Sequence, residues 1–193
     1  MLVYLDSTVI IRYCLWKHFT TTSNEEFDEI VLIKKGFSGD FEIYISPFTL
    51  MEVSSHLTDK FLMKKAENAG FSHREFRRER HKFNLSLDEE KKIDSIADEL
   101  KNNSYINYVD IRRIDEDFFR SILQHHKQLL DFMDSAHIQI ALDVGCEYFV
   151  TGDGELRQRV QEMILKKKIN NNFKITTVNG FLKTLEQKES HDK

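Results

Sequence analysis

Short runs of β-branched and aromatic residues alternate along this chain with segments whose apolar residues recur at helical spacing. Such runs predict buried strands, and strands separated by helices predict an α/β fold with a mostly parallel sheet. Helices then cover both faces of the sheet, so we expect three layers. The runs that predict strands are Leu2–Leu5, Phe41–Ile45, Glu147–Thr151 and Lys174–Val178, with a less regular one at Ile106–Ile111.

Three segments between these runs carry helix signals. Glu116–Leu130 has an apolar side and follows Asp115, a residue type that often caps a helix. Leu87–Leu100 follows Ser86 in a capping-box pattern. Residues 135–145 also place their apolar side chains on one side of a predicted helix.

The chain contains one proline and seven glycines and shows no low-complexity linker, so one domain is expected for its 193 residues. We place that domain at residues 1–180, with 54–103 as a helical elaboration. Within the elaboration, the charge-rich stretch 54–85 predicts one or two exposed helices. Residues 181–193 are expected to form the end of the last helix and a tail that frays from about Gln187.

Composition and charge exclude several classes of function. The formal net charge of −4 argues against a protein that coats nucleic acid, because neutralising phosphates needs a positive surface. The two cysteines lie far apart and no Cys or His cluster has zinc spacing, so we expect neither a disulfide framework nor a structural zinc. Asp6 and Arg12 interrupt the apolar N-terminus, so we expect no signal peptide, no membrane span and a cytoplasmic location.

Four carboxylates stand where predicted strands end or predicted helices begin. Asp6 and Asp153 follow two of the strands closely. Glu52 lies in the helix after a third strand, and Asp134 opens another helix. Because ligands bind at the carboxyl ends of parallel strands, we expect these acids to share one edge of the sheet. Oxygen-only ligands suit Mg²⁺ or Mn²⁺, and such sites hydrolyse phosphodiesters with metal-activated water.

Helix capping is the alternative for each acid taken alone. The three aspartates are N-cap residue types at predicted helix starts. Glu52 stands three residues after Thr49, which is capping-box spacing, and Ser46-Pro47 is itself a typical helix start. The residues alone therefore leave an acidic metal site and a set of helix caps both open.

Three blocks of the sequence resemble the PIN-domain nucleases, especially the VapC-like toxins of prokaryotic toxin–antitoxin pairs. The first is VYLDSTVIIRY, which holds Asp6 and Thr8, and the second is YISPFTLMEVSSHL, which holds Glu52. The third is LLDFMDSAHIQIALDVGCEYFVTGDGEL, in which an acid, a helix, a strand and a T-x-D motif follow in order. The resemblance covers about residues 1–53 and 104–180.

This resemblance implies a parallel sheet between helices and a magnesium- or manganese-dependent endoribonuclease site. RNA is then the substrate, and an antitoxin protein and a homodimer are candidate partners. It gives Thr8 and Thr151 the role of orienting ligands or water. The catalytic acids by position are Asp6, Glu52, Asp134 and Asp153, with Asp6, Asp134 and Asp153 as the metal ligands.

Two features of the chain depart from the resemblance. The stretch 54–103 is long for a compact toxin of this type. After Asp153, Gly154-Glu155 stands where the family often has a second aspartate, and Glu155 is expected to start the next helix.

Arginines within the run His73–Lys82 are candidate RNA contacts, because clustered cations can bind phosphate. The candidates are Arg74, Arg77 and Arg78. The glutamates in the same run favour the alternative of a salt-bridged solvent face.

Three hypotheses about function follow from these patterns. The first is a metal-dependent endoribonuclease, in its narrower form the toxin of a toxin–antitoxin pair. The second is a PIN-like module that binds RNA or protein with little catalysis. The third is a hydrolase that acts on another phosphoester.

Overall fold

The computed structural model describes residues 1–20, 27–110, 115–127, 130–170 and 172–191. Within these ranges, five parallel strands form one sheet in the order β3-β2-β1-β4-β5. The strands are β1 Leu2–Leu5, β2 Glu42–Ile45, β3 Ile106–Tyr108, β4 Tyr148–Val150 and β5 Lys174–Thr176. The predicted α/β fold with a parallel sheet is confirmed. Strand β1 has the predicted bounds, and the other four strands are shorter than the runs that predicted them. Ile111, the expected end of the third strand, lies outside the described residues.

The described helices lie between the strands along the chain, and several begin directly after a strand ends. A short 3₁₀ turn at Arg80–Lys82 follows the fourth of them. The helices are α1 Ser7–Phe19, α2 Asp28–Phe37, α3 Pro47–Asn68, α4 His73–Glu79, α5 Leu87–Lys101, α6 Glu116–His126, α7 Phe132–Val144, α8 Gly154–Leu165 and α9 Val178–His191.

Side chains of the central strands alternate between two cores on opposite faces of the sheet, as the pleat requires. In β1, Val3 and Leu5 lie in the first core and Tyr4 lies in the second. In β4, Val150 belongs to the first core and Phe149 to the second. Helices α1, α2, α3, α5 and α9 supply the first core, and α6, α7 and α8 supply the second. The chain therefore has the three layers that the strand pattern predicted.

Strand β1 is the centre of the sheet. Val3 pairs with Ile43 of β2 on one side and with Tyr148 of β4 on the other. All the strands run in the same direction, so their carboxyl ends meet at a single edge. Segments far apart in sequence are brought together there.

The stretch 54–103 is only in part an outlying elaboration. Three residues of α5, Ile93, Ile96 and Leu100, are buried in the first core beside β1 and β2. The second half of α3 and α4 instead form a small separate cluster around Leu62 and Phe76. The part that lies outside the two cores is thus limited to the second half of α3, called here the tip of α3, and to α4, which packs on it.

Three helix boundaries differ from the predicted ones. Helix α6 begins after Asp115, whose carboxylate accepts from the Phe118 amide as expected, but it ends at His126 rather than at Leu130. Helix α7 begins at Phe132, before the predicted position 135. Helix α9 continues past Gln187 to His191, and the fraying expected from about Gln187 stays a prediction.

In the described part of the chain, no helix is both long enough and apolar enough to cross a membrane.

We expect Phe76→Ala to lower the free energy of unfolding by about 3 kcal/mol, because Phe76 is 4% exposed and fills the small cluster at the tip of α3. Urea denaturation followed by far-UV circular dichroism measures this. Phe119→Ala is the matched control, since Phe119 is 46% exposed, and it should change stability by less than about 0.5 kcal/mol. Equal effects of the two changes would show that the cluster does not contribute to global stability.

Candidate active site

The carboxyl ends of β1 and β4 form the floor of the site. Asp6 follows β1 directly, and its amide donates to the Val150 carbonyl at 3.0 Å, which extends the pairing of the two strands. The Thr151 amide in turn donates to the Thr176 carbonyl of β5 at 3.1 Å. Polar side chains from three neighbouring strand ends are fixed side by side because the backbone that carries them is paired.

Two threonine hydroxyls hold the Asp6 carboxylate. Thr8 Oγ1 donates to Asp6 Oδ2 at 2.7 Å, and Thr151 Oγ1 donates to the same oxygen at 2.8 Å. Each hydroxyl also accepts a backbone N–H, Thr8 from Gly152 and Thr151 from Asp153, so its own hydrogen is left for the carboxylate. Asp6 occupies the N-cap position of α1 but makes no side-chain cap bond. The capping alternative for Asp6 is therefore wrong.

Asp134 is likewise not the cap of its helix. The N-cap of α7 is Asp131, which accepts from the Asp134 amide at 2.8 Å. Burial above all, together with the nearby carboxylates of Asp131, Asp6 and Asp153, raises the pKa of Asp134 to about 7. Among the described residues, no hydrogen bond uses either oxygen of the Asp134 carboxylate. Negative charge is crowded at this position without a compensating donor.

Asp153 does cap a helix, as the alternative proposed. Its Oδ1 accepts from the amides of Glu155 at 2.7 Å and Leu156 at 3.0 Å at the start of α8. The same side chain lines a cleft of about 560 Å³ together with Asp134. A cap and a site residue are thus compatible here, because one carboxylate oxygen serves the helix.

The cleft that holds Asp134 and Asp153 is also lined by two residues that no sequence motif placed in a site. One is His126, whose Nδ1 donates to the Leu130 carbonyl at 2.8 Å. The other is Arg159, which pairs with Glu155 one turn earlier in α8. Glu155 starts α8 as expected, and it lines the cleft through this pair.

Glu52 is free of any capping role. The capping box of α3 consists of Ser46 and Thr49, not of Thr49 and Glu52. Glu52 Oε2 instead accepts from His137 Nε2 at 2.9 Å. Burial acts to raise the pKa of Glu52, but hydrogen bonds from His137 and Ser7 outweigh it and hold the pKa below its usual value.

The structure brings the predicted acids to one edge of the sheet in two neighbouring groups. Ligand atoms of Asp6, Glu52 and His137 all lie within 4.8 Å of one another. The second group joins Asp134 and Asp153 across the cleft, and the charge of Asp6 acts on Asp134. His137 follows Asp134 by one helical turn, and this spacing was the one signal in the sequence that indicated its place.

The three arginines proposed as RNA contacts lie elsewhere. They are exposed on α4, and none has an ion-pair partner among the described residues. Charged residues next to them form ion pairs with other partners. Arg80 pairs with Asp59, and Glu79 pairs with Lys82. The expected salt-bridged face therefore does not include Arg74, Arg77 and Arg78.

A family model for the PIN domain matches residues 3–161. The chain belongs to the PIN-domain family. PIN domains are generally metal-dependent nucleases. No curated protein matches the sequence.

The donor atoms of this PIN domain fit a divalent cation. In the described part of the chain, Asp6 Oδ1 and Asp153 Oδ2 take no hydrogen bond, and neither does the Asp134 carboxylate. These oxygens offer uncompensated negative charge, and oxygen ligands of this kind suit Mg²⁺ or Mn²⁺. When no cation is bound, carboxylates that repel one another can reduce the repulsion only by binding protons. This raises the pKa of a carboxyl group in the cluster, as it does for Asp134.

We expect Mn²⁺ to stabilise this PIN domain more at pH 7.5 than at pH 5.5. The pKa of Asp134 is about 7 in the folded protein against 3.8 for the free group, so the folded state binds the proton more tightly. Without metal, stability should therefore fall as the pH rises from about 4 through about 7. Metal needs the ionised carboxylate, so its affinity should increase over the same range.

The measurement is the melting temperature at both pH values with millimolar Mn²⁺, against Na⁺ at equal ionic strength. Asp134→Asn is the control, because an amide does not titrate and should remove most of the pH dependence. An equal Mn²⁺ effect at the two pH values would contradict the role given to Asp134.

Proposed function

We propose that this PIN domain is a metal-dependent endoribonuclease that hydrolyses RNA phosphodiester bonds. The observation that supports this most is the crowding of Asp6, Asp134 and Asp153 at one sheet edge, with Asp134 driven towards protonation by burial and by its neighbours. Such an arrangement destabilises the protein unless a cation binds it. A purely structural set of helix caps would not place Asp134 there, because Asp131 already caps α7.

The roles proposed for the residues follow from their contacts. Asp6, Asp134 and Asp153 hold Mg²⁺ or Mn²⁺, which when bound supplies a nucleophilic water and neutralises the phosphate. Glu52 stands at the rim beside Asp6. The hydroxyls of Thr8 and Thr151 fix the Asp6 carboxylate, so that its other oxygen keeps one direction.

The cleft beside Asp134 and Asp153 is the proposed entrance for the RNA backbone. Its lining includes His126 and Arg159 as well as the acids. A cation in this lining reduces the repulsion between the acidic site and an incoming phosphate. The cleft is therefore chemically suited to a phosphodiester in a way that a wholly acidic surface is not.

The arginines of α4 are a further proposed RNA contact. Residue Ala66, which packs beside Phe76 of α4, follows Glu52 by fourteen residues along α3, or about 20 Å at the helical rise. An RNA that reaches both places must extend well beyond the scissile phosphate. These contacts would then contribute to binding of long RNA only.

The narrower proposal is that the protein is the toxin of a toxin–antitoxin pair. The three sequence blocks around Asp6, Glu52 and Asp134 support it, since they resemble VapC-like toxins. Coexpression with the product of an adjacent small gene, scored as loss of RNA cleavage and as a complex in size-exclusion chromatography, tests it. The same chromatography of the protein alone tests the proposed homodimer.

One assay separates the endoribonuclease from its alternatives. Purified protein is incubated with Mg²⁺ or Mn²⁺ and with RNA, DNA or a generic phosphodiester. Cleavage of RNA supports the proposal, and cleavage of the generic diester alone supports another phosphoesterase. RNA binding without cleavage supports a binding module.

We expect Asp134→Asn to abolish RNA cleavage and to leave the protein folded. The substitution removes one ligand charge, and an amide is a poor ligand for a hard dication. Stability without metal should stay level or rise, because carboxylate repulsion is relieved. Activity at saturating and at limiting Mg²⁺, together with the melting temperature, measures both effects.

Asp143→Asn is the control, because Asp143 lies on the same helix, accepts from Gln139 at 2.7 Å and lines a different cavity. It should keep full activity. Full activity in Asp134→Asn would remove the support for Asp134 as a metal ligand.

We expect replacement of all three α4 arginines by Gln to raise the KM for long RNA several-fold and to leave kcat unchanged. Each lost phosphate contact should also reduce the salt dependence of binding by about one unit of slope. Replacement of Lys166, Lys167 and Lys168 at the end of α8 removes the same charge and is the control. If both triple variants behave alike, general charge and not a contact at α4 is responsible.

A further inference from the structure

A buried hydrogen-bonded chain runs behind the acidic edge and ends on Glu52. The Tyr4 hydroxyl lies 2.7 Å from Ser46 Oγ and 2.7 Å from His137 Nδ1. The other ring nitrogen of His137, Nε2, lies 2.9 Å from Glu52 Oε2. Tyr4 is fully buried and His137 is 1% exposed, so water does not compete for these bonds.

Ring contacts as well as hydrogen bonds fix the position of the His137 imidazole. Tyr4 stacks on Phe149 with ring centroids 5.2 Å apart, and its edge meets the ring of His137. Phe48 packs against a third side of the imidazole. The ring cannot turn away without breaking bonds in the second core, so the Nε2 hydrogen has a fixed direction.

His137 itself is not suited to be a metal ligand, although it lies within 4.8 Å of Asp6 and Glu52. A carboxylate only accepts hydrogen bonds, so Nε2 must carry a hydrogen to reach Glu52. The lone pair or hydrogen of Nδ1 is used by Tyr4. Both nitrogens are occupied, and the donors that can face an ion are the two carboxylates.

Glu52 needs such a restraint more than the aspartates do. Its side chain has one more rotatable bond than Asp6, it is about half-buried, and ordering it costs conformational entropy. The donor that holds it, Nε2 of His137, comes from another helix, α7. Helices α3 and α7 are therefore joined at this one carboxylate.

We propose that His137 is a positioning residue that holds the Glu52 carboxylate beside Asp6, so that Glu52 contributes to divalent-metal binding. This inference rests on the proposed function. Outer hydrogen bonds of this kind orient the ligands of metal sites, and their loss typically weakens metal binding about 10- to 100-fold. His137 acts only through Glu52 and does not touch substrate.

The test compares His137→Gln with His137→Leu by calorimetric titration of Mn²⁺ into the RNA-free protein. Gln keeps an N–H donor near the place of Nε2, whereas Leu fills a similar volume without a donor. We expect Leu to weaken Mn²⁺ binding about 10- to 100-fold and Gln to restore most of the affinity. A role in packing alone predicts the reverse, since Leu suits a buried site better than Gln.

A double-mutant cycle with Glu52→Gln shows whether His137 acts through Glu52. The variant that combines His137→Leu with Glu52→Gln should bind Mn²⁺ no more weakly than Glu52→Gln alone. Additive losses would overturn the proposal, as would wild-type affinity in His137→Leu. Tyr4→Phe, which removes the hydroxyl and keeps the ring, is the second route should His137→Leu fail to fold, and it should weaken Mn²⁺ binding several-fold.

Failure of this inference is distinct from failure of the proposed function. If Asp134→Asn abolishes Mn²⁺ binding while His137→Leu and Tyr4→Phe leave it unchanged, the metal site stands and the role of His137 is wrong. If wild-type protein binds no Mn²⁺, the proposed function fails first and this inference fails with it.

Discussion

Parallel pairing of β1 with both β2 and β4 is the interaction on which the candidate site depends. It places Asp6 at the centre of an edge to which the following strands also deliver their polar residues. Like charges gathered in this way repel one another, and two features offset the repulsion. Hydroxyls of Thr8 and Thr151 donate to Asp6. Asp6, Asp134 and Asp153 also stand at the N-cap or in the first turn of their helices, where the helix dipole is positive.

Much of the fold could be predicted from the sequence because its determinants are local. The five strands lie in short runs of β-branched and aromatic residues that need no tertiary information to recognise, and the caps at Ser46, Ser86 and Asp115 are set by residues close to them in the chain. The order of strands and helices then placed Asp6 and Asp153 at the same edge of the sheet. This inference needed only the rule that carboxyl ends of parallel strands meet.

The rest of the candidate site could not be predicted, because it depends on the directions in which side chains point. A single sequence does not contain this information. Capping was a reasonable alternative for Asp134, but the helix begins earlier, at Phe132, and Asp131 is its N-cap. Tyr4 looked like an ordinary core residue of β1, yet its hydroxyl begins the chain of bonds that reaches Glu52. The apolar side of α5 was visible in the sequence, but not which core it joins, because a charged amphipathic helix has the same pattern on a core as on an appendage.

The chain order of the site has a consequence for how the protein is made. Asp6 is synthesised well before Thr151 and Asp153. β1 can pair with β2 early, but the second neighbour that completes the floor is β4. A growing chain on the ribosome, surrounded by RNA, thus carries isolated carboxylates and no assembled site. For the proposed nuclease, translation itself delays activity until β4 and Asp153 have been synthesised.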